Sequence, residues 1–152
     1  MANISERFHQ GPSAQMLSPQ LEADLRDLRQ HYAIEVVEES AVINLVVRGF
    51  ATSGHYNRRT TNLLLRIPRS YPDSGLDMFW TDPELLLKEG SIPNGAQAIE
   101  RYPALDSIGE FNGKQWRRFS WHPQTASPTR WNPNVDNLLS YLEFVRKRLS
   151  QQ

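Results

Sequence analysis

The sequence predicts an α+β domain in which two helices flank a four-strand antiparallel meander. Three observations support this prediction: a helical pattern near the N-terminus, a series of β-rich segments in the first half, and a strongly patterned helix at the C-terminal end. The 152 residues suffice for one domain with a sizeable core. We assign residues 1–16 to a flexible polar arm and residues 17–152 to the domain.

The first helix begins at a clear capping signal. Ser18 can cap it, and Pro19 suits its first turn, where a backbone N–H has no partner in any case. The pattern predicts that the helix ends near His31. Three leucines fall on one face of this helix and are expected in the core: Leu21, Leu25 and Leu28.

Four segments rich in β-branched and aromatic residues predict the strands. They are residues 34–37, 43–50, 61–67 and 77–81. A polar turn joins the first two, which we expect to pair as an antiparallel hairpin. Pro68 and Pro72 end the third strand, and Tyr71 with Pro72 should shape the turn that leads to the fourth.

Residues 82–113 are predicted to be irregular because prolines and glycines are spread along them. A loop of this length in a compact domain is usually functional or partly mobile. Asn112 and Gly113 mark a turn, and residues 114–121 after it are expected to be extended.

The C-terminal helix has the strongest pattern in the chain. Asn132 or Asn134 can cap it, and Pro133 fits its first turn. Its last turns are basic, which suits the negative end of the helix dipole, and contain Arg146, Lys147 and Arg148. Its apolar stripe comprises Val135, Leu138, Leu139, Leu142, Val145 and Leu149.

Composition excludes several classes of protein. The formal net charge is zero and 39% of residues are hydrophobic, which argues against disorder and against nucleic-acid binding driven by positive charge. No apolar run approaches the ~20 residues of a membrane span and no secretory signal is visible, so we expect a cytoplasmic protein. The chain has no cysteine, no metal-ligand spacing of its histidines and no phosphate-binding glycine motif, so we expect no disulfide, metal or cofactor.

Ser120 and His122 are the residues best suited to catalysis. Imidazole titrates near neutral pH and can move protons. If residues 115–122 are extended, the two side chains point to the same face, because side chains alternate along a strand. A hydroxyl beside a base is the minimum for an activated nucleophile. The ordinary alternative is a histidine that bonds a loop and a serine that faces water, because this spacing is common by chance.

Aromatic and basic residues around this pair suggest a surface for a partner. The candidate partner-binding residues are Arg117, Arg118, Trp121 and Arg130. The arginines could bind an acidic tail or surface, and they could equally be solvated charge. Tryptophans can stack on a partner, but aromatic clusters more often supply core area. We expect Trp80 and Trp131 to be mainly structural.

The order of these landmarks resembles the ubiquitin-conjugating-enzyme fold, and within it the bacterial, prokaryotic E-type branch. The matching strings lie within roughly residues 48–149. They read RGF, YN, LLLRIPRSYPD, LDMFWTDPELLL, WRRFSWH and WNPNVDNLLSYLEFVRKRL. The resemblance implies two partners, a ubiquitin-like protein and an adenylating activating enzyme, encoded with this chain in a bacterial operon that also encodes a peptidase. Such operons are associated with antiphage defence.

The chain departs from the family pattern at the nucleophile. Ordinary ubiquitin-conjugating enzymes carry ubiquitin as a thioester on a cysteine shortly before a Trp-x-Pro, and this chain has no cysteine. Counting back from Trp131 places the nucleophile near residues 120–122, whereas counting forward from the Asn-Gly turn places it near Trp116. The usual His-Pro-Asn motif is absent. Residues 92–94, Ile-Pro-Asn, echo it in part, but their distance from Ser120 along the chain is too long.

Two functional hypotheses follow from the sequence. In the first, the chain is a transferase in which Ser120 accepts the C-terminus of a ubiquitin-like protein as an oxyester, with His122 as base. In the second, it is a non-catalytic adaptor that binds the ubiquitin-like protein or the activating enzyme through its aromatic and arginine residues. Fold alone does not decide between them. The first is favoured because serine and histidine fall together where the superfamily keeps its nucleophile.

Overall fold

The computed structural model describes residues 8–9, 17–120 and 131–151 of the chain. Its helices are α1 (Pro19–Arg29) and α2 (Leu138–Leu149). One sheet contains β1 (Phe8–His9), β2 (Ile34–Glu38), β3 (Val42–Ala51), β4 (Thr60–Pro68), β5 (Phe79–Thr81), β6 (Ile99–Arg101) and β7 (Gln115–Phe119). Within the described residues, no helix is long and apolar enough to cross a membrane.

The sheet is larger than the four-strand meander that the sequence predicts. Its strands lie in the order β1-β2-β3-β4-β5-β7-β6, so β2 to β5 follow one another while β7 and β6 extend the sheet. The strands from β2 to β7 pair antiparallel, and β1 joins β2 in parallel, with Phe8 opposite Val36. The sequence prediction missed β6 because this strand has three residues and lies among turn-forming residues. The rest of the predicted arm lies outside the described residues.

Both helices pack on one face of the sheet. Ser18 accepts a hydrogen bond from the N–H of Leu21 at 3.2 Å, and this cap begins α1 where the sequence predicts. The core between the helices and the sheet includes Leu21, Leu25, Leu28, Leu45, Leu65, Phe79, Phe119, Leu142 and Val145. This core buries the side chain of Phe119, the last residue of β7.

The opposite face of the sheet has a second core. Two short 3-10 helices, Pro103–Ser107 and Gly109–Phe111, fold back over it, so the segment predicted to be irregular has a defined packing role. Arg48 of β3 holds the second 3-10 helix against the sheet, because its guanidinium donates to both carboxylate oxygens of Glu110 at 2.8 Å. The apolar residues of this second core are Val37, Val46, Leu64, Trp80, Leu105, Ile108, Phe111 and Trp116.

Helix α2 begins later than the sequence predicts. Its N-cap is Asn137, whose side chain accepts from the N–H of Ser140 at 2.8 Å, while the Ser140 hydroxyl accepts from the N–H of Asn137 at 3.0 Å. The predicted caps Asn132 and Asn134 lie before the helix, and Val135 is 71% exposed instead of belonging to the apolar stripe. The later start follows from this capping box, which satisfies two N–H groups at once.

A buried carboxylate joins the helices to the Tyr-Pro turn. Asp24 of α1 is 4% exposed and accepts from the hydroxyl of Tyr71 and, at 3.4 Å, from the N–H of Leu138. Burial, and then the hydrogen bond to Asp24, raise the pKa of the Tyr71 phenol. Trp131 donates from Nε1 to the carbonyl of Pro72 at 2.8 Å, and its ring centroid lies 5.7 Å from that of Tyr71. These contacts confirm the structural role predicted for Trp131.

Candidate functional site

The candidate nucleophile stands at the end of β7. Ser120 directly follows this strand and is exposed. The preceding residue, Phe119, is buried and stacks on Phe79 of β5 with ring centroids 4.7 Å apart. The core therefore fixes the backbone immediately before Ser120 while the serine itself remains accessible.

A segment distant in sequence lies beside Ser120. The N–H of Ser120 donates to the carbonyl of Gly95 at 2.9 Å, and the N–H of Arg118 donates to the carbonyl of Ala98 at 2.9 Å. Residues 92–95, which include the Ile-Pro-Asn sequence, therefore run up to the end of β7. This sequence is too far from Ser120 along the chain to match the family's motif, but the pairing of β6 with β7 brings it close to Ser120 in space. In addition, Asn94 is exposed.

Arg148 of α2 ties this segment to β7. Its side chain is buried, Nη2 donates to the carbonyl of Asn94, and the guanidinium carbon lies 5.4 Å from the ring centroid of Phe119. A side chain at Gly95 would meet both the carbonyl oxygen of Ser120, at 3.6 Å, and Nη2 of Arg148, at 3.9 Å. The cation, the Ile-Pro-Asn segment and Ser120 thus meet around one glycine.

The charge of Arg148 has no carboxylate partner among the described residues. Its Nη1 is buried and makes no well-formed hydrogen bond within them. Residues 121–130, which follow Ser120 in the sequence, contain no aspartate or glutamate that could neutralise the charge of Arg148. A buried cation without a counter-charge is costly, and it stabilises negative charge that develops nearby.

Tyr56 borders the same cluster. Its ring is buried, and burial raises the pKa of its phenol, although the nearby charge of Arg148 acts in the opposite direction. Within the described residues the hydroxyl makes no well-formed hydrogen bond. Because the net effect raises the pKa, Tyr56 stays protonated at neutral pH and is a donor rather than a base. The hydroxyl of Ser120 itself accepts or donates no hydrogen bond within the described chain.

The two candidate arginines of β7 contact the protein itself. Arg117 is 7% exposed, and it donates to the carbonyl of Pro83 at 2.9 and 3.1 Å and to that of Ala96 at 2.7 Å. Burial lowers the pKa of its guanidinium. Arg118 donates from Nη1 to Glu100 at 2.7 Å on the other face of the sheet. These contacts favour a role in holding loops to the sheet, and partner binding by either residue stays a prediction.

The remaining candidate residues are Trp121, His122 and Arg130, and they lie outside the described residues.

Sequence reasoning missed the local role of Arg148, which it assigned only to the dipole of α2. A signal was present, because Arg148 follows Val145 by three residues and so falls on the apolar side of the helix. Within the described residues, no group of three or more histidines and carboxylates is placed to hold a metal ion.

The fold and the site together define an α+β domain of the ubiquitin-conjugating-enzyme-like class, with its candidate reactive residue just after a strand of the sheet. The sequence model of prokaryotic E2 family E matches residues 20–152. The chain therefore belongs to prokaryotic E2 family E, which confirms the resemblance seen in the sequence. This membership supports a role related to the conjugation of ubiquitin-like proteins. No curated protein and no solved structure matches the chain.

Proposed function

We propose that this chain accepts the C-terminus of a ubiquitin-like protein on Ser120. The observation that carries the proposal is an exposed serine at the end of β7, beside residues 92–95, in an E2-family member without cysteine. A hydroxyl is a weak nucleophile at neutral pH, so it needs a base and a site that stabilises the oxyanion. His122, two residues further on, is the base in this proposal.

The proposed reaction is an acyl exchange. The Ser120 oxygen attacks the carbonyl carbon of the C-terminus that the activating enzyme has adenylated. A C–O ester bond forms, the bond from that carbon to the phosphate oxygen of the adenylate breaks, and AMP leaves with the electron pair. The hydroxyl proton passes to His122 and then to the leaving group. Negative charge develops on the carbonyl oxygen during the attack, and the uncompensated charge of Arg148 and the exposed amide of Asn94 are suited to stabilise it.

The proposed setting is a bacterial ubiquitination-like pathway associated with antiphage defence. The proposed partners are the ubiquitin-like protein and the adenylating activating enzyme encoded in the same operon. Trp121 and Arg130 remain proposed contacts for these partners. Arg117 and Arg118 act in this proposal by holding the residues around the site, because their guanidinium groups are bonded within the domain.

The second candidate function is the non-catalytic adaptor. It is favoured by one observation: the chain contains no cysteine, the residue on which ubiquitin-conjugating enzymes carry their thioester. In this alternative the chain binds the ubiquitin-like protein or the activating enzyme and forms no covalent bond to either.

The test is to mix the chain with the activating enzyme, the ubiquitin-like protein and ATP, and to measure its intact mass. We expect an adduct that survives thiol reductant, because an oxyester is not cleaved by thiols as readily as a thioester. The adduct should disappear in Ser120→Ala. Ser107→Ala is the matched control, because Ser107 is also exposed but lies in the 3-10 segment over the second core. His122→Ala should slow adduct formation by about 10²–10⁴-fold without unfolding the domain.

Two results would contradict the proposed transfer. An adduct that persists in Ser120→Ala would place the nucleophile elsewhere in the chain. A stable complex with either partner, without any covalent adduct, would establish the adaptor function instead.

A further inference from the structure

An open edge of the sheet begins beside Ser120. Residues 95–101 run along β7, and β6 within them is the last strand on this side of the sheet. No other described strand pairs with the outer side of β6. Exposed strand edges present backbone donors and acceptors that can pair with an extended peptide.

The direction of the backbone groups along this edge follows from the pairing register. In an antiparallel pair of strands, facing residues alternate: one pair exchanges backbone hydrogen bonds, and the next pair points its N–H and C=O groups away from the partner strand. Arg118 donates to the carbonyl of Ala98, so Ala98 points its groups toward β7, as Glu100 does two residues later. The N–H and C=O groups of the alternate residues point outward; these residues are Gln97, Ile99 and Arg101. None of these three has a backbone hydrogen bond on the outer side within the described residues.

The side chains on this edge do not block an added strand. Proteins commonly protect an open edge with proline, with lysine or with a bulge that turns the edge away. Residues 95–101 contain neither proline nor lysine, and two of their first four residues are alanine. The hydrogen bonds of Ser120 to Gly95 and of Arg118 to Ala98 span two residues of β7 and three of the facing segment, so a bulge lies between residues 95 and 98, at the Ser120 end of the edge. Ile99 is 39% exposed, which makes it one of the few large apolar side chains on the surface of the described chain. A strand laid along the edge would cover it.

The polarity of the edge fits a C-terminal tail. Residues 95–101 start at Ser120 and run away from it, since Gly95 contacts Ser120 and Arg101 pairs with Gln115. A peptide that pairs antiparallel with this edge therefore runs with its carboxyl end toward the end of the sheet that carries Ser120, and it lies one strand further out than β7. The added strand would lie about 4.8 Å from residues 95–101. Its last residues would cross Gly95, where no side chain stands in the way and φ is +76°.

We infer that the C-terminal tail of the ubiquitin-like protein adds to this edge as an extra antiparallel strand, with its carboxyl end at Ser120. The inference rests on the proposed transfer to Ser120, and it names where the acyl donor binds. The tail's backbone would pair with the outward groups of Gln97, Ile99 and Arg101, and an apolar tail side chain would cover Ile99.

Proline substitution separates this edge from the rest of the fold. In Ile99→Pro the outward N–H is lost and a ring stands on the edge, but no hydrogen bond to β7 is removed, so the sheet should persist. Ile99→Ala is the matched control, because it removes the same side chain and keeps the N–H. The probe is the ubiquitin-like protein encoded with the chain, in full length and without its C-terminal tail, and binding is measured in the Ser120→Ala background to exclude chemistry.

We expect three results if the tail binds as a strand. Full-length ubiquitin-like protein, but not the truncated form, should protect the N–H groups of Ile99 and Arg101 from hydrogen exchange measured by NMR. Ile99→Pro should weaken binding about tenfold, as expected from the loss of one or two hydrogen bonds. The Ile99→Ala variant should bind more tightly than Ile99→Pro. Hydrogen exchange of the β7 amides in the free variants checks that the sheet is intact.

Other outcomes would overturn the inference. Tail-dependent binding without protection at Ile99 and Arg101 would place the tail elsewhere, and absence of binding at concentrations up to about 1 mM would leave no tail site at this edge. The proposed transfer is judged separately from adduct formation in the chain that retains Ser120. If Ile99→Pro forms the Ser120 adduct at the unchanged rate, the edge inference fails and the transfer stands. If the edge binds the tail but no adduct forms, the transfer fails.

Discussion

The carboxylate of Asp24 should couple energetically to the hydroxyl of Tyr71, and this coupling can be measured by a double-mutant cycle. Asp24 is 4% exposed and serves donors from three parts of the chain: the Tyr71 hydroxyl, the Leu138 N–H, and the side-chain amide of Gln20 at 2.8 Å. The perturbations are Asp24→Ala, Tyr71→Phe and the two together. Each single change removes one partner of the same buried hydrogen bond.

The magnitudes follow from which groups remain unpaired. Asp24→Ala leaves the Tyr71 hydroxyl and the Leu138 N–H buried without this acceptor, and both residues are at most 2% exposed. An unsatisfied buried group costs about 1–3 kcal/mol, so the variant should lose about 3–5 kcal/mol of unfolding free energy. Tyr71→Phe leaves Asp24 its other donors and should cost about 1.5–3 kcal/mol. In the double variant the tyrosine hydroxyl is no longer left unpaired, so the total loss should be smaller than the sum by about 1–3 kcal/mol.

Urea unfolding followed by circular dichroism measures all four free energies under one condition. Asp24→Asn is a useful control, because it keeps an acceptor oxygen at the same place and should cost less than Asp24→Ala. If the single losses add to the double loss within about 0.5 kcal/mol, the hydrogen bond contributes no coupling. The junction of the helices with the Tyr-Pro turn would then be stabilised by its other contacts, such as the hydrogen bond from Trp131 to the Pro72 carbonyl.

Three further predictions address other contacts. Burial raises the pKa of Asp82, but hydrogen bonds from a backbone N–H and from Lys114 lower this pKa by a larger amount, so the net shift is downward. Asp82 therefore stabilises the fold above its unfolded pKa of about 4 and loses this contribution as pH falls through the folded pKa, so Asp82→Asn should flatten the acid limb of stability against pH. Trp131→Phe should lower the free energy of urea unfolding by about 1 kcal/mol, because one hydrogen bond is lost. Trp131→Ala should lower it by about 2–4 kcal/mol, because the ring is only half-buried. Equal losses would show that packing of the ring contributes little. Arg148→Met should slow formation of the Ser120 adduct at least about tenfold in single turnover. The free energy of unfolding should change by less than about 2 kcal/mol, because the substitution also removes an unpaired buried charge. An unchanged rate would exclude Arg148 from the site.

Much of the fold follows from periodicity in the sequence. The strands β2 to β4 and the core faces of both helices come from long runs of patterned residues, and local pattern is sufficient there. The short strand β6 and the two 3-10 helices carry no such pattern. Strand β6 is held by its pairing with β7, and the 3-10 helices are held by packing on residues far away in the chain. The start of α2 was misplaced because the prediction considered Asn132 and Asn134 as its possible caps and not Asn137. Only Asn137 has Ser140 three residues later to complete the capping box.

The candidate site was only partly predictable for a related reason. Ser120 could be chosen from its position before Trp131 and its spacing to His122. Its neighbour Gly95 could not, because sequence separation says nothing about distance once two strands pair. The local role of Arg148 required knowing that the end of α2 lies over Phe119. The pattern of α2 indicated only that this arginine shares a side with apolar residues.

A serine in place of a thiolate changes what the rest of the site must supply. The hydroxyl is protonated at neutral pH, so the reaction depends on a base, on stabilisation of the oxyanion and above all on positioning. Well-oriented reacting groups gain an effective concentration of roughly 10⁵–10⁸ M, which is a large contribution for a weak nucleophile. A tail fixed as a strand along residues 95–101 would bring its terminal carbonyl to Ser120, beside the segment that Arg148 holds through the carbonyl of Asn94. If Ser120 is the acceptor, as proposed, the open edge and the cation serve one requirement that the missing cysteine sets: a poor nucleophile needs its acyl donor to be held in place.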